Sequence, residues 1–207
     1  MSTDQNATPK PRRRLTREDR LRQLLEAAWQ LVRDEGTEAL TLGRLAEEAG
    51  VTKPVVYDHF GTRSGLLVAL YQDFDARQTR LMDAALAAGE PTVLGRARVI
   101  AAAYVDCVLL QGREIPGVIA ALASSPELER TKREYETLFF DKCRLAFLPF
   151  IAGDDLSAAS LRAMLGAAEA LSHAAARGEI SANQAKEELL AVIVAMVDRS
   201  AGKRPLG

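Results

Sequence analysis

The chain of 207 residues is poor in the side chains from which catalytic and metal sites are built: it has two cysteines and two histidines. Cys107 and Cys143 form no C-x-x-C pair and have no neighbouring histidine, so neither a zinc site nor a disulfide framework is indicated; both read as small buried hydrophobes in a reducing compartment. His59 and His173 stand far apart, and no H-E-x-x-H, G-x-S-x-G or glycine-rich phosphate loop occurs. A nucleophile with its base, or a set of metal ligands, cannot be assembled from these residues, so no catalytic site, metal or cofactor is expected. No run of about 18 uncharged apolar residues is present, and the first residues are polar and basic with no apolar stretch behind them. The expectation is therefore a cytoplasmic protein that neither spans a membrane nor is secreted. A net charge of −1 gives no overall basic surface either.

What is there is 48% hydrophobic residues, enough to bury a core, arranged almost everywhere after residue 15 at three- and four-residue spacing, with no sustained period of two. The fold class is all-α, with about nine helices. Thr16 followed by Asp19 opens the first, whose stripe of Leu21, Leu24, Leu25, Ala28 and Val32 stops at Gly36. A short second helix starts at Thr41 and ends at Gly50, a short third runs from Thr52 to Phe60, and a long fourth starts at Thr62 and carries Leu66, Leu67, Leu70, Tyr71, Phe74 and Leu81. Further helices are predicted over about 92–110, with breaks at Gly112 and Pro116, then 117–123, 126–148 opened by Ser125-Pro126, 155–177, and 181–200 with a Ser181/Gln184 capping box. Positive charge is concentrated before the first helix: Lys10, Arg12, Arg13 and Arg14 oppose Asp4, whereas residues 15–65 hold seven basic and nine acidic side chains. Such an arm is either a solubilising tail or a DNA-contacting one.

The second and third helices, joined by Ala49-Gly50-Val51, have the helix-turn-helix pattern, in which Gly50 supplies the left-handed turn and Val51 can staple to Val56. With Val56 and Phe60 inward, 100° per residue puts Pro54, Val55, Tyr57 and Asp58 outward and Lys53 and His59 on the flanks. That outer face suits a major groove: Pro54 and Val55 against a thymine methyl, Thr52, Lys53, Tyr57 and His59 toward phosphates.

The segment T-L-G-R-L-A-E-E-A-G-V-T-K-P-V-V-Y-D-H-F-G-T-R-S-G-L-L from Thr41 to Leu67, with the E-G-T-E-A-L ending of the preceding helix, resembles the DNA-binding domain of the tetracycline-repressor (TetR) family over about residues 16–70. The resemblance implies an N-terminal three-helix DNA-binding domain at 16–62 after a basic arm at 1–15, a ligand-binding and dimerisation domain at 63–200 and a tail at 201–207. It implies a transcriptional regulator, most simply a repressor released from a palindromic operator by a small apolar ligand. It adds Thr41, Arg44, Thr62 and Arg63 to the DNA contacts.

Two residues depart from the family pattern. Asp58 puts an acid where an aromatic or basic residue is usual; it can accept from a cytosine amino group, penalise wrong sequences, or pair with a neighbouring Lys or Arg. Gly65 should loosen the first turn of the fourth helix.

Beyond residue 75 only helix number and length match the family. Tyr104, Cys107, Val108, Phe139, Phe140, Cys143 and Phe147 are candidates to line an effector cavity, each with the alternative of being simply core. Leu161, Met164, Leu165 and Ala168 with Leu189, Ile193, Met196 and Val197 form stripes assigned to a four-helix homodimer interface, which Gly166, Ala167 and Ala170 would let close tightly. The expected partners are double-stranded operator DNA, a small-molecule effector and a second copy of the chain. Two alternatives stay open: a helical protein-interaction module, and a DNA-binding regulator without a small-molecule ligand.

Overall fold

The computed structural model describes residues 15–114, 116–123, 125–151 and 155–202. Most of the expected basic arm and of the tail lies outside the described residues. Among those described there are nine α-helices and no strand: α1 (Arg17–Glu35), α2 (Leu42–Glu48), α3 (Lys53–Phe60), α4 (Arg63–Ala88), α5 (Val93–Glu114), α6 (Pro116–Leu122), α7 (Pro126–Phe147), α8 (Ala158–Ala176) and α9 (Ala182–Ser200), with 3-10 turns at Thr37–Ala39 and Leu148–Phe150. The capping signals act where the sequence places them. The hydroxyls of Thr16, Thr41, Thr62, Ser125, Ser157 and Ser181 each accept from the backbone N–H three residues on, and the Ser181/Gln184 box is reciprocal. Gly112 does not break its helix. A mid-helix glycine costs only about 1 kcal/mol against alanine, and α5 lies packed against α8 and α9 until Pro116 starts α6.

Two apolar cores share α4. The first holds Leu24, Ala28, Trp29 and Leu31 of α1, Leu42, Leu45 and Ala46 of α2, Val56 and Phe60 of α3, and Leu66 to Phe74 of α4, and it takes in Val118 and Leu122 of α6 and Leu128 of α7. The second begins at Met82 and gathers α5, α7, α8 and α9 around Ile100, Val105, Phe147, Leu161 and Ile193. Packing therefore divides within α4, between Phe74 and Met82, and not at residue 62 where the domain boundary was expected. Helix α4 is a rod common to both halves.

The stripes assigned to a dimer interface need correction. Leu161, Met164, Leu165, Ala168, Leu189, Ile193, Met196 and Val197 are all buried, at 6% exposure or less, inside the protomer's own second core. Helices α8 and α9 turn their large side chains toward α5 and each other, which leaves small ones outside. Ala159, Ala163, Gly166 and Ala170 of α8 and Ala191 and Ala195 of α9 are exposed, with Val194 half-buried beside them. Among the described residues no helix is long and apolar enough to cross a membrane.

Candidate nucleic-acid interface

Helix α3 is held by two buried anchors, Val56 at 0% and Phe60 at 7% exposure, with Val51 packed against the same core. Gly50 takes the left-handed conformation (φ +63°) that lets α2 stop and α3 start with four residues between them. The opposite face is open. Pro54, Tyr57 and Asp58 are exposed, Tyr57 by 54%, and Val55 is half-exposed.

The N-terminus of α3 leaves a donor available. A capping hydroxyl would bond the N–H of the second or third helical residue, but the second is Pro54, which has none, and the Val55 N–H goes to the Thr52 carbonyl at 3.0 Å. Thr52 thus makes no side-chain cap and keeps its exposed hydroxyl for an external acceptor. Lys53, also exposed, reaches back over Gly43 of α2, where an added Cβ would lie 3.8 Å from its ammonium.

Arg44 and Arg63, added by the family resemblance, are engaged within the protein. Arg44 meets Glu35 at 2.6 Å, Glu48 at 3.2 Å and Glu47 at 4.0 Å, and the hydrogen bond it donates to Glu35 raises its pKa. Arg63 donates to the Leu40 carbonyl at 2.9 Å and the Thr37 carbonyl at 2.8 Å, so its guanidinium ties the start of α4 to the turn before α2. The hydroxyls of Thr41 and Thr62 accept the caps of α2 and α4 (3.1 and 3.0 Å) while both residues stay exposed.

Gly65 does not loosen α4. Gly61 (φ +66°, ψ −57°) forms a γ-turn in which Thr62 N–H donates to the Phe60 carbonyl at 2.6 Å. This folds the end of α3 onto the first turn of α4. A Cβ on Gly65 would run into that same Phe60 oxygen and sit 3.3 Å from its carbon. The glycine is what the close approach requires.

Sequence reading missed the contribution of α1. Arg17 lies 3.7 Å from the Asp58 carboxylate and donates to the Asp58 carbonyl at 3.5 Å, which realises the third of the alternatives for Asp58. Leu15, Thr16, Arg17 and Arg20 face Val55, Asp58 and His59 across a groove of about 400 Å³. Burial lowers the His59 pKa, as do Arg17 and Arg20, while Asp58 opposes them. A signal existed: Arg17 and Arg20 are cations in the first turn of a helix, where the positive end of the dipole disfavours them.

Of the effector candidates, Cys143 and Phe147 (0%) and Phe140 (7%) are packed into the second core, which corrects their assignment to a cavity wall. Tyr104, Cys107, Val108 and Phe139 are half-buried, with the Tyr104 and Phe139 rings 5.4 Å apart. They border a seam between the two cores that also holds Tyr71 and Tyr135, their rings 6.1 Å apart, and Asp75 of α4. Burial raises the pKa of Asp75, and burial first, with the Asp75 charge second, raises those of Tyr71, Cys107 and Tyr135. Among the described residues no basic side chain reaches Asp75 within 4.0 Å.

Residues 24–70 match the family model described as bacterial regulatory proteins, tetR family. The chain is 42% identical over 59 residues, 28% of its length, to the HTH-type transcriptional activator FasR of Mycolicibacterium smegmatis, and 33% identical over 82 residues, 40% of its length, to the HTH-type transcriptional regulator BetI of Rhizobium meliloti. Those matches span only 27% and 39% of the two relatives. The whole fold resembles the crystal structure of a regulator from a Rhodococcus species assigned to the TetR family, with a TM-score of 0.65 at 20% identity, covering 87% of this chain and 99% of that one. The helix-turn-helix geometry and the family match fall on the same residues, so residues 24–70 of the chain are similar to the tetR family of bacterial regulatory proteins.

Proposed function

We propose that the chain is a homodimeric transcriptional regulator that binds a two-fold symmetric DNA operator through α3 and is released from it by a small molecule. The observation that carries the DNA-binding part is the outer face of α3: the uncapped Thr52 hydroxyl, Lys53 and the exposed Tyr57 project from a helix clamped by Val56 and Phe60, within the stretch that matches the family. Pro54 and Val55 offer apolar contact to a base edge. Thr41 and Thr62 add hydroxyls at neighbouring helix starts, and Arg44 and Arg63 act by shaping this surface. Selection of genomic fragments by the purified protein, followed by binding titrations at several salt concentrations, tests the reading. Specific, salt-sensitive binding to a palindromic sequence is expected. The absence of any preferred fragment would reject it.

Repression is the simplest regulatory sign. The partial similarity to a relative named as an activator favours a reporter measurement, with promoter activity expected to rise when the gene is deleted. The dimer forms through the outer faces of α8 and α9, where exposed Ala163, Gly166, Ala170, Ala191 and Ala195 let backbones approach closely. The effector enters the seam of Tyr71, Asp75, Tyr104, Cys107, Tyr135 and Phe139. Its body is apolar, and its polar end donates hydrogen bonds or positive charge to Asp75. A thermal-shift screen comparing apolar amines with neutral isosteres tests this, with stabilisation by the amines lost in Asp75→Asn.

A further inference from the structure

Asp58 is the one residue on the outer face of α3 for which the proposed DNA reading has no use. An acid there meets a polyanion. Yet Arg17 lies 3.7 Å from its carboxylate and donates to its carbonyl, and Arg20 and His59 line the same groove. Thr16 completes the wall but donates its hydroxyl to Asp19 at 2.7 Å. Arg17 and Arg20, in the opening residues of α1, work against the helix dipole; Arg20 donates to Gln23 of the same helix at 2.6 Å, and Arg17 turns to Asp58 of α3. Their spacing of one turn and their placement opposite α3 make a pocket for one anion at the edge of the reading helix. In the protein alone, the Asp58 carboxylate fills that role from the rim.

Resting on the DNA-binding reading, we propose that Arg17, Arg20 and His59 form a seat for one backbone phosphate of the operator, and that Asp58 guards it. A phosphate offers more charge and more acceptor sites than a carboxylate, and a guanidinium engages it with two parallel hydrogen bonds. When DNA docks, Arg17 moves from Asp58 to the phosphate and Asp58 is released toward the groove. There it is tolerated only where a base presents a donor, such as a cytosine amino group; elsewhere it is an uncompensated acid beside phosphates. The exchange makes a phosphate contact, ordinarily blind to sequence, depend on the base pair beneath Asp58.

A double-mutant cycle on the full chain tests it. Affinities are measured for wild type, Arg17→Ala, Asp58→Asn and the double variant, on the selected operator and on versions altered at the base pair beneath α3. If Arg17 changes partner, Arg17→Ala costs less with Asp58 present, because the wild type must first break the pair. The loss should therefore be greater in the Asp58→Asn background, by about two- to fivefold for an exposed pair. Asp58→Asn should raise affinity for mismatched sites and narrow discrimination, and Arg17→Ala should lower the salt slope by about one counterion. Additive losses, a greater Arg17→Ala loss with Asp58 present (the pair persisting on DNA), or an unchanged salt slope would each overturn the proposal while leaving DNA binding intact. Failure of the wild type to bind any duplex would remove both readings together. Arg17 and Asp58 are exposed and Arg20 and His59 are partly buried, and thermal melting of each variant checks that the fold is kept.

Discussion

At Gly65 the fold depends on the lack of one carbon atom. The γ-turn at Gly61 brings the Phe60 carbonyl against the first turn of α4, and a methyl group on residue 65 has no room beside it. Alanine, a better helix former by about 1 kcal/mol, should here destabilise by about 1–3 kcal/mol through overpacking. Thermal melting of Gly65→Ala decides between the two: a raised melting temperature would mean that propensity outweighs contact. From sequence the position read as a weakness, because propensity is local and the obstructing oxygen belongs to the preceding helix. The partner of Asp58 was hidden for the same reason, being 41 residues away on α1. His59 supports a pH prediction. Its pKa is held below the ordinary 6.5 by burial and by Arg17 and Arg20, with Asp58 pulling the other way. It is thus neutral in the free protein at pH 7. A phosphate beside it favours the charged form, so binding takes up a proton and operator affinity should rise as pH falls from about 8 to 6. Replacement by glutamine should flatten that dependence, and an unaltered pH profile in His59→Gln would show that this ring does not meet a phosphate.

Helix existence and boundaries were readable because most of the helices carry their own start signal, a hydroxyl three residues before the N–H it caps, as at Thr16, Thr41, Ser125 and Ser181. What faces what was less readable. An apolar stripe on α8 states that something covers it but not whether the cover is α5 of the same chain or a second copy. The large residues went inside, and the informative signal for an interface was the smallness of the residues opposite them. That assignment separates two substitutions. Glutamate at Leu165, 6% exposed, buries a charge in the second core and should unfold the protein. Glutamate at Ala170, exposed on the opposite face of α8, should leave helicity and the single-chain fold intact while converting the dimer to monomer. Sedimentation at micromolar concentration reads the difference, and an Ala170→Glu protein that remains dimeric would place the interface elsewhere.

Across the whole molecule, two of the helices that join the proposed effector seam to the proposed DNA-reading helices matter most for coupling. One is the shared rod α4. The other is α6, whose Gly117 lies directly against Thr37 in the turn before α2: a Cβ at residue 117 would come within 2.9 Å of the Thr37 Cβ and closer still to its hydroxyl. The Thr37 carbonyl in turn accepts from Arg63, the first residue of α4, and Arg63 also holds Leu40 just ahead of the capping Thr41. A displacement of α6 therefore reaches the starts of α2 and α4 through three named contacts, without deforming α3. Gly117→Ala acts as a wedge at that joint. It should weaken operator binding by roughly 5- to 150-fold, the range typical of coupling between two sites, because each reading head in the dimer is turned out of register. The second core and the α8–α9 face lie away from the wedge, so dimerisation should persist. Reciprocity requires that a wedge mimicking the released state also tighten effector binding by a matching factor. Thr37→Ala removes the hydroxyl that the new methyl meets, and combined with Gly117→Ala it should restore much of the operator affinity. If Gly117→Ala binds the operator as tightly as wild type, or if the second substitution gives no rescue, then α6 does not transmit to the DNA-facing helices.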